Sequence, residues 1–330
     1  MFSALYIEEE IVEHPRVLRI RTRYPDVPVI SISRYGEVFN RKNQNFRLQK
    51  NKPALILARK HKNYVLAAPE GYGLGGVRNY YFSHMLNCIY DCRYCFLQGM
   101  YQSAHYLLFV NYEDFISEIE KMVGEKAGET CYFYSGYDCD SLALEPLTEF
   151  VDEFLPYFKQ YDNAILELRT KSTQVRSLLN RPVQDNCIIA FSFTPENISS
   201  QLENKVPSIT KRLDALKKLQ AHGWAIGLRF DPMIYEDNYR EQYAQLFETI
   251  FTTLDASKIH SVSMGVFRLP EPYYRKMQKL FPDEKLFAVR LHKNEGMISY
   301  GKELEGKMLS ECENLLLNYV PQSLYHRCRL

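Results

Sequence analysis

From about residue 76 the chain alternates short apolar runs of β character with longer stretches of helical period. The β-type runs are YYFSH (80–84), CYFYS (131–135), AILELRT (164–170), CIIAFSF (187–193), AIGLRFDP (225–232) and HSVSMGVF (260–267). Between them lie EDFISEIEKMV (113–123), LTEFVDEFLPYF (147–158), ITKRLDALKKLQAHG (209–223) and YREQYAQLFETIF (239–251). In the first of these, Phe115, Ile116, Ile119, Met122 and Val123 follow a 3.6-residue period and share one face. Lys217 and Lys218 followed by Gly223 mark a helix C-terminus. Such alternation predicts an α/β fold with a parallel sheet and right-handed crossovers. About six units suit a partial (β/α)6 barrel rather than a closed eightfold one, with chemistry at the C-terminal ends of the strands. Residues 1–75, with VPVISIS (27–33) and ALILA (54–58), read as a small N-terminal layer; 76–270 read as the barrel and 271–330 as a C-terminal extension.

Composition changes this picture little. Hydrophobic residues make up 46% and charged residues 25%, which is enough for a sizeable core. Lys and Arg number 41 against 40 Asp and Glu, so a basic surface for nucleic acid has to be local. One run is basic: residues 41–62 hold eight Lys or Arg and no acid, either a solvated loop face or a phosphate-contacting patch. The N-terminus MFSALYIEEEIVEHP lacks the apolar stretch of a signal peptide, and no run approaches the roughly 20 apolar residues of a membrane span. A cytoplasmic protein with reduced thiols and no membrane partner is expected.

Those thiols cluster. Residues 87–98, NCIYDCRYCFLQ, place Cys88, Cys92 and Cys95 in a C-x3-C-x2-C spacing just after the first barrel strand. Three neighbouring thiolates can hold three irons of a [4Fe-4S] cluster, leaving the fourth iron open to a ligand that is not protein. Two plainer readings stand beside this one. His84 lies four residues before Cys88, so a Cys3His zinc site is available; or the three cysteines are unliganded core residues. Cys131, Cys187 and Cys312 are expected as buried fillers, and Cys328, in the tail HRCRL, as exposed.

The C-x3-C-x2-C motif in a first βα loop resembles that of the radical S-adenosylmethionine enzymes, in which the open iron binds S-adenosyl-L-methionine. More of the chain resembles one branch, the spore photoproduct lyase family: LYIEEEIVEHPRV, CRYCFLQ, FYSGYDCDSLALEPLT, ELRTKST, FSFTPENI, GLRFDPMIY and FRLPEP, in that order. The resemblance implies a barrel of the radical S-adenosylmethionine type, with Cys88, Cys92 and Cys95 as cluster ligands. It implies that Tyr94 packs beside the cofactor and that Asp140 holds its methionine amine. Lys171 and Ser192 would place its ribose and carboxylate, Arg268 would lie near a DNA lesion, and Tyr300–Gly301 would form a tip that wedges the DNA. The implied activity is a lyase that returns a cross-linked thymine pair to two thymines through a 5′-deoxyadenosyl radical. Implied partners are damaged DNA, contacted in part by the C-terminal extension, and a reductant such as flavodoxin or ferredoxin; the protein is expected to act as a monomer.

Bottom-up placement agrees with three of these roles. Asp140, Lys171 and Ser192 follow or end the strands CYFYS, AILELRT and CIIAFSF, on the same rim as the cysteines. Each also has an ordinary reading: Asp140 and Ser192 as helix N-caps, Lys171 and Arg268 as surface charges. The family's hydrogen-donating cysteine falls at Tyr137, with Cys139 two residues on, and Phe96 stands where the family has a second tyrosine. Either Cys139 serves as donor or the radical ends differently. Two other functions therefore stay open: a related enzyme acting on RNA or a free nucleotide, and a non-catalytic zinc or nucleic-acid-binding protein.

Overall fold

The computed structural model describes residues 2–75, 78–126 and 128–328. All six expected β-runs form strands, and they are neighbours in one sheet. In spatial order these are Arg78–Phe82, Cys131–Ser135, Ala164–Thr170, Cys187–Ser192, Ala225–Met233 and Ile259–Val266. Every pairing among them is parallel. The sheet curls into a half-barrel. Short strands outside the expected set extend it at both edges: Val65–Ala67 pairs antiparallel with the first strand, and Tyr325–Arg327 pairs parallel with the last.

The crossover helices bury apolar stripes against this sheet. In Tyr112–Glu125 the buried residues are Tyr112, Phe115, Ile116, Ile119 and Val123, as the period requires. Phe150–Phe158 lays Phe150 and Phe154 over Phe82 at ring separations of 6.0 and 5.3 Å. Ile209–His222 ends on Gly223, whose φ of 108° is the left-handed C-cap that the sequence indicated.

The N-terminal layer is a second sheet in the order Val29–Ile32, Leu5–Glu8, Leu55–Ala58, Tyr106–Phe109, Met85–Leu86. Its last two strands come from either side of the cysteine motif. The boundary expected at residues 75–76 abuts residues outside the described set, and the two sheets share the chain across it. This interleaving positions the site, because the loop carrying Cys88, Cys92 and Cys95 leaves one sheet and returns to it between Met85–Leu86 and Tyr106–Phe109.

Candidate active site

A cavity of about 440 Å³ opens at the C-terminal ends of the barrel strands. Its wall holds Cys88, Cys92 and Cys95, and also Tyr94, Tyr137, Cys139, Asp140, Lys171, Ser192 and Arg268. Ten of the eleven residues singled out from the sequence therefore meet in one place.

The cysteine loop is fixed from several sides. Asp91–Cys92 pairs antiparallel with Glu203–Asn204, bringing Cys92 opposite Glu203. The Arg93 amide donates to the Leu202 carbonyl at 2.8 Å. The Tyr94 hydroxyl donates to Glu203. Glu203 also accepts from Arg212 Nη2 at 2.6 Å and from Ser199 Oγ at 2.8 Å, while Arg212 Nη1 reaches the Ser192 carbonyl at 2.9 Å. Glu203 and Arg212 have fully buried side chains, so each charge is stable only because the other is there. Burial pushes the Cys88 thiol up to about 12 and raises Cys92 and Cys95 too. Such thiols ionise when a metal takes them, since coordination deprotonates a thiol outright. A soft three-thiol set at a cavity wall fits an iron–sulfur cluster with one open iron.

The zinc alternative fails on His84. Its ring stacks on Phe150 at 4.0 Å, both ring nitrogens are buried without partners among the described residues, and burial lowers its pKa to about 3. His84 is not part of the cavity wall that holds the cysteines.

Asp140 ties the neighbouring strand ends together. Its carboxylate accepts from Thr170 Oγ1 at 2.7 Å, from the Lys171 amide at 2.6 Å, and from the Leu142 and Ala143 amides at 3.0 and 2.9 Å. It closes a turn rather than capping a helix, since the next helix starts at Glu145. Nor does Ser192 cap: the following helix, Glu196–Leu202, takes Pro195 at that position. The Lys171 ammonium lies 4.0 Å from Glu203 and 5.7 Å from the Tyr94 ring centroid, so it is no surface lysine. Burial lowers its pKa, and the Cys92 and Glu203 charges outweigh that and raise it.

A family model described as spore photoproduct lyase matches residues 77–315. The chain belongs to the spore photoproduct lyase family. It is 23% identical to the spore photoproduct lyase of Bacillus subtilis (strain 168), across 86% of this chain and 83% of that protein. Identity to the enzyme of Geobacillus sp. (strain Y412MC61) is 24%, across 60% of this chain and 59% of that one. Among solved structures, a spore photoproduct lyase mutant with bound AdoMet and dinucleoside spore photoproduct superposes with a TM-score of 0.85 at 17% identity, covering 100% of this chain and 99% of the other. Another complex with the dinucleoside gives 0.82 at the same identity, covering 100% and 98%.

Tyr137 and Phe96, where the resemblance suggested a departure, meet in the cavity wall. Gly136, with φ 82°, ends the strand Cys131–Ser135. A Cβ there would stand 2.6 Å from Ser141 Oγ and 2.9 Å from the Arg169 carbonyl, so only glycine makes this turn. The turn sends Tyr137 against Tyr81 at 4.4 Å, Tyr72 at 5.4 Å and Phe96 at 5.5 Å, an aromatic wall. Burial pushes the Tyr137 hydroxyl up to about 12. Cys139 is 7% exposed, and burial raises its thiol well above the ordinary range. Arg268 forks onto Asp231 at 3.0 and 3.2 Å.

Three expectations need correction. Tyr300 does not form an exposed tip: it is 1% exposed, packs on Tyr235 and Phe267, and its hydroxyl accepts from the Tyr235 amide at 3.0 Å. The exposed tip belongs instead to residues 292–296 of the hairpin His292–Asn294 and Met297–Ser299, whose Met297 reaches the cavity. Cys328 is buried rather than exposed: it follows the strand Tyr325–Arg327, its amide donates to the Met264 carbonyl at 2.8 Å, and it lies close to Gly265 and Arg268. The basic run 41–62 is not one face, since Lys50 turns in to the cavity and Arg59 pairs with Asp114 at 3.0 Å.

Sequence reasoning missed Glu203, Arg212, Lys50 and Tyr72 as members of the site. Arg212 did leave a signal: it sits with Ile209, Leu213 and Leu216 on the apolar stripe of its helix, where a charge needs a buried partner. Glu203 left none, because it lies in no periodic pattern and far from the cysteines in sequence.

Proposed function

We propose that this protein is a radical S-adenosylmethionine lyase of DNA repair, converting a spore-photoproduct-type thymine pair to two thymines. The observation that carries this is the convergence of Cys88, Cys92 and Cys95 with Tyr94, Asp140, Lys171 and Ser192 around one cavity of about 440 Å³ in a chain of this family. When bound, a [4Fe-4S] cluster and S-adenosyl-L-methionine supply an electron and a 5′-deoxyadenosyl radical that takes hydrogen from the substrate. Cys88, Cys92 and Cys95 would hold the cluster. Asp140 would accept from the methionine amine, Lys171 and Ser192 would donate to carboxylate and ribose oxygens, and Tyr94 would close the pocket beside them.

The lesion must leave the base stack to reach a barrel rim. It enters past Arg268, Tyr137 and Met297, with the 292–296 tip against the duplex. We assign the returning hydrogen to Cys139, whose buried thiol keeps its S–H and shares the cavity with Tyr137. The electron comes from a flavodoxin- or ferredoxin-type protein.

The test is anaerobic incubation of the reconstituted protein with S-adenosyl-L-methionine, dithionite and an oligonucleotide carrying the spore photoproduct. Restored thymines are the expected result. 5′-Deoxyadenosine without restored thymines would move the substrate to another nucleic acid or a nucleotide, a reading favoured by Tyr137 and Phe96 standing where the family has cysteine and tyrosine.

A further inference from the structure

The basic run 41–62 divides by what its members touch. The Lys60 ammonium lies over the Phe109 and Phe115 rings at 5.1 and 5.5 Å. Lys50 is buried, and its ammonium reaches the carbonyls of Cys88 and Tyr90 at 3.5 and 3.4 Å, with Asp91 at 4.0 Å. It shares with Phe46 the inner face of the helix Phe46–Asn51, which rests on the cysteine loop. The outer face is different. Arg47, Leu48 and Asn51 are exposed there, flanked by exposed Arg41, Lys42 and Lys52. Exposed Lys205 joins them by donating to the Lys50 carbonyl at 3.0 Å. Among the described residues none of Arg41, Lys42, Arg47, Lys52 and Lys205 has a carboxylate partner, whereas Arg59 and Lys50 do. Leu48, at 65%, is the most exposed large hydrophobic side chain of the described residues.

This patch covers the cysteine loop from outside. A helix with its side chains is about 10–12 Å across, so the outer face lies about one helix diameter from the cysteines. Lys50 stands at the cysteine end of the cavity, while Arg268, Asp231 and Met297 line the other end. An electron entering through this helix need not cross the substrate.

We propose that the exposed face of Phe46–Asn51, with Arg41, Lys42, Lys52 and Lys205, docks an acidic one-electron carrier, a small protein with a low-potential flavin or iron–sulfur centre. The inference rests on the cluster reading given above. One electron passes from the reduced carrier to the cluster; the carrier is oxidised by one electron and no bond or proton moves. An apolar residue ringed by unpaired cations suits such a short-lived contact: the charges steer encounter and Leu48 supplies the dry centre.

The experiment compares the wild-type holoprotein with the Arg47→Glu/Lys52→Glu double variant and, separately, Leu48→Asp. Cluster reduction is followed by loss of visible absorbance, at low salt, using reduced flavodoxin in one arm and dithionite in the other. The expected result is a rate from flavodoxin reduced by roughly tenfold or more in the charge variant, with weaker salt dependence. Dithionite reduction and binding of a photoproduct oligonucleotide should stay at wild-type values. An unchanged flavodoxin rate in both variants overturns the proposal. So does a loss of oligonucleotide affinity at constant flavodoxin rate, which would give the patch to nucleic acid. The dithionite arm on wild-type protein tests the cluster alone, so the two readings fail separately.

Discussion

The two ends of the cavity are built differently. At the cysteine end the chain is cross-braced: Glu203 pairs with Cys92 through the backbone, and its carboxylate takes Tyr94, Ser199 and Arg212. At the mouth the wall is mostly edge-on and tilted ring contacts among Tyr72, Tyr81, Phe96 and Tyr137, with a forked ion pair between Arg268 and Asp231. Directional bonds to buried charges fix geometry closely, whereas ring contacts can slide and repack. The braced end suits chemistry that needs fixed geometry, and the ring-lined end suits contact with a bulky substrate. Tyr137 and Phe96, the two positions where the resemblance suggested a departure, meet in the aromatic wall, Phe96 joining it to the cysteine loop.

The largest effect should come from the braced end. Cys92→Ala removes one of the three thiols proposed to hold the cluster. Reconstituted protein should lose most of its iron and sulfide and all S-adenosylmethionine cleavage, read by metal analysis and by 5′-deoxyadenosine. Cleavage surviving at a substantial rate would break the assignment of the three thiols. Next in size is the brace itself. Glu203→Gln leaves Arg212 charged and buried, with its Nε already lacking a partner. Removing one member of a buried pair costs about 3–5 kcal/mol, to be measured by denaturant unfolding of the apoprotein. Iron loading should fall in parallel, because the same carboxylate holds Tyr94 and stands opposite Cys92.

The contrast between the ends also explains what the sequence disclosed. Strand and helix periods placed all six barrel strands, because each is a simple apolar run bounded by turns. The three cysteines were legible because their ligand spacing is local. Asp140, Lys171 and Ser192 were legible because strand ends are local features as well. Glu203 and Lys50 were not, since their roles depend on packing between segments far apart in the chain. Tyr300 was misplaced because the resemblance set the tip at Tyr300–Gly301, and only the register of the hairpin, with His292 opposite Ser299, shows that the turn lies earlier. Cys328 looked free because a chain end usually is, but the strand Tyr325–Arg327 carries it under the barrel edge.

For the two hydrogen-donor candidates the expected effects are smaller and more selective. Cys139 lies near Cys88, but Cys139→Ala leaves Cys88, Cys92 and Cys95 in place, so 5′-deoxyadenosine should still form. Restored thymine should fall by roughly tenfold as the unquenched substrate radical is diverted. Tyr137→Phe keeps the ring contacts and removes only the hydroxyl, and should change thymine yield by less than the cysteine variant. The measurement is product analysis by chromatography under single-turnover conditions. The reverse ranking would transfer the hydrogen-donor role to Tyr137, and equal, small effects would remove both from it.

The smallest expected effect on photoproduct binding at neutral pH concerns the support beneath the mouth, where loss of Glu167 costs stability just as loss of Glu203 does. Arg169 lies over the Tyr72 ring at 4.7 Å and is held by Glu167, which also pairs with Arg229 at 2.8 Å. Burial would raise the Glu167 pKa, but Arg229 and Arg169 outweigh it and bring the carboxyl from 4.5 down to about 2. A group with a depressed folded pKa stabilises the fold above its unfolded value. That contribution is lost as pH falls through the folded one. Glu167 should thus lend full stability above about pH 4.5 and give it up progressively towards about pH 2. In Glu167→Gln the slope of unfolding free energy against pH over that window should flatten. Arg169, released from its carboxylate, should also loosen the Tyr72 side of the ring wall. If that wall selects the substrate, the variant assayed at neutral pH should weaken photoproduct binding while leaving dithionite reduction of the cluster unchanged. If substrate selection rests with Arg268 and the hairpin alone, binding will stay at the wild-type value, and the aromatic wall is then only the barrel's upper core.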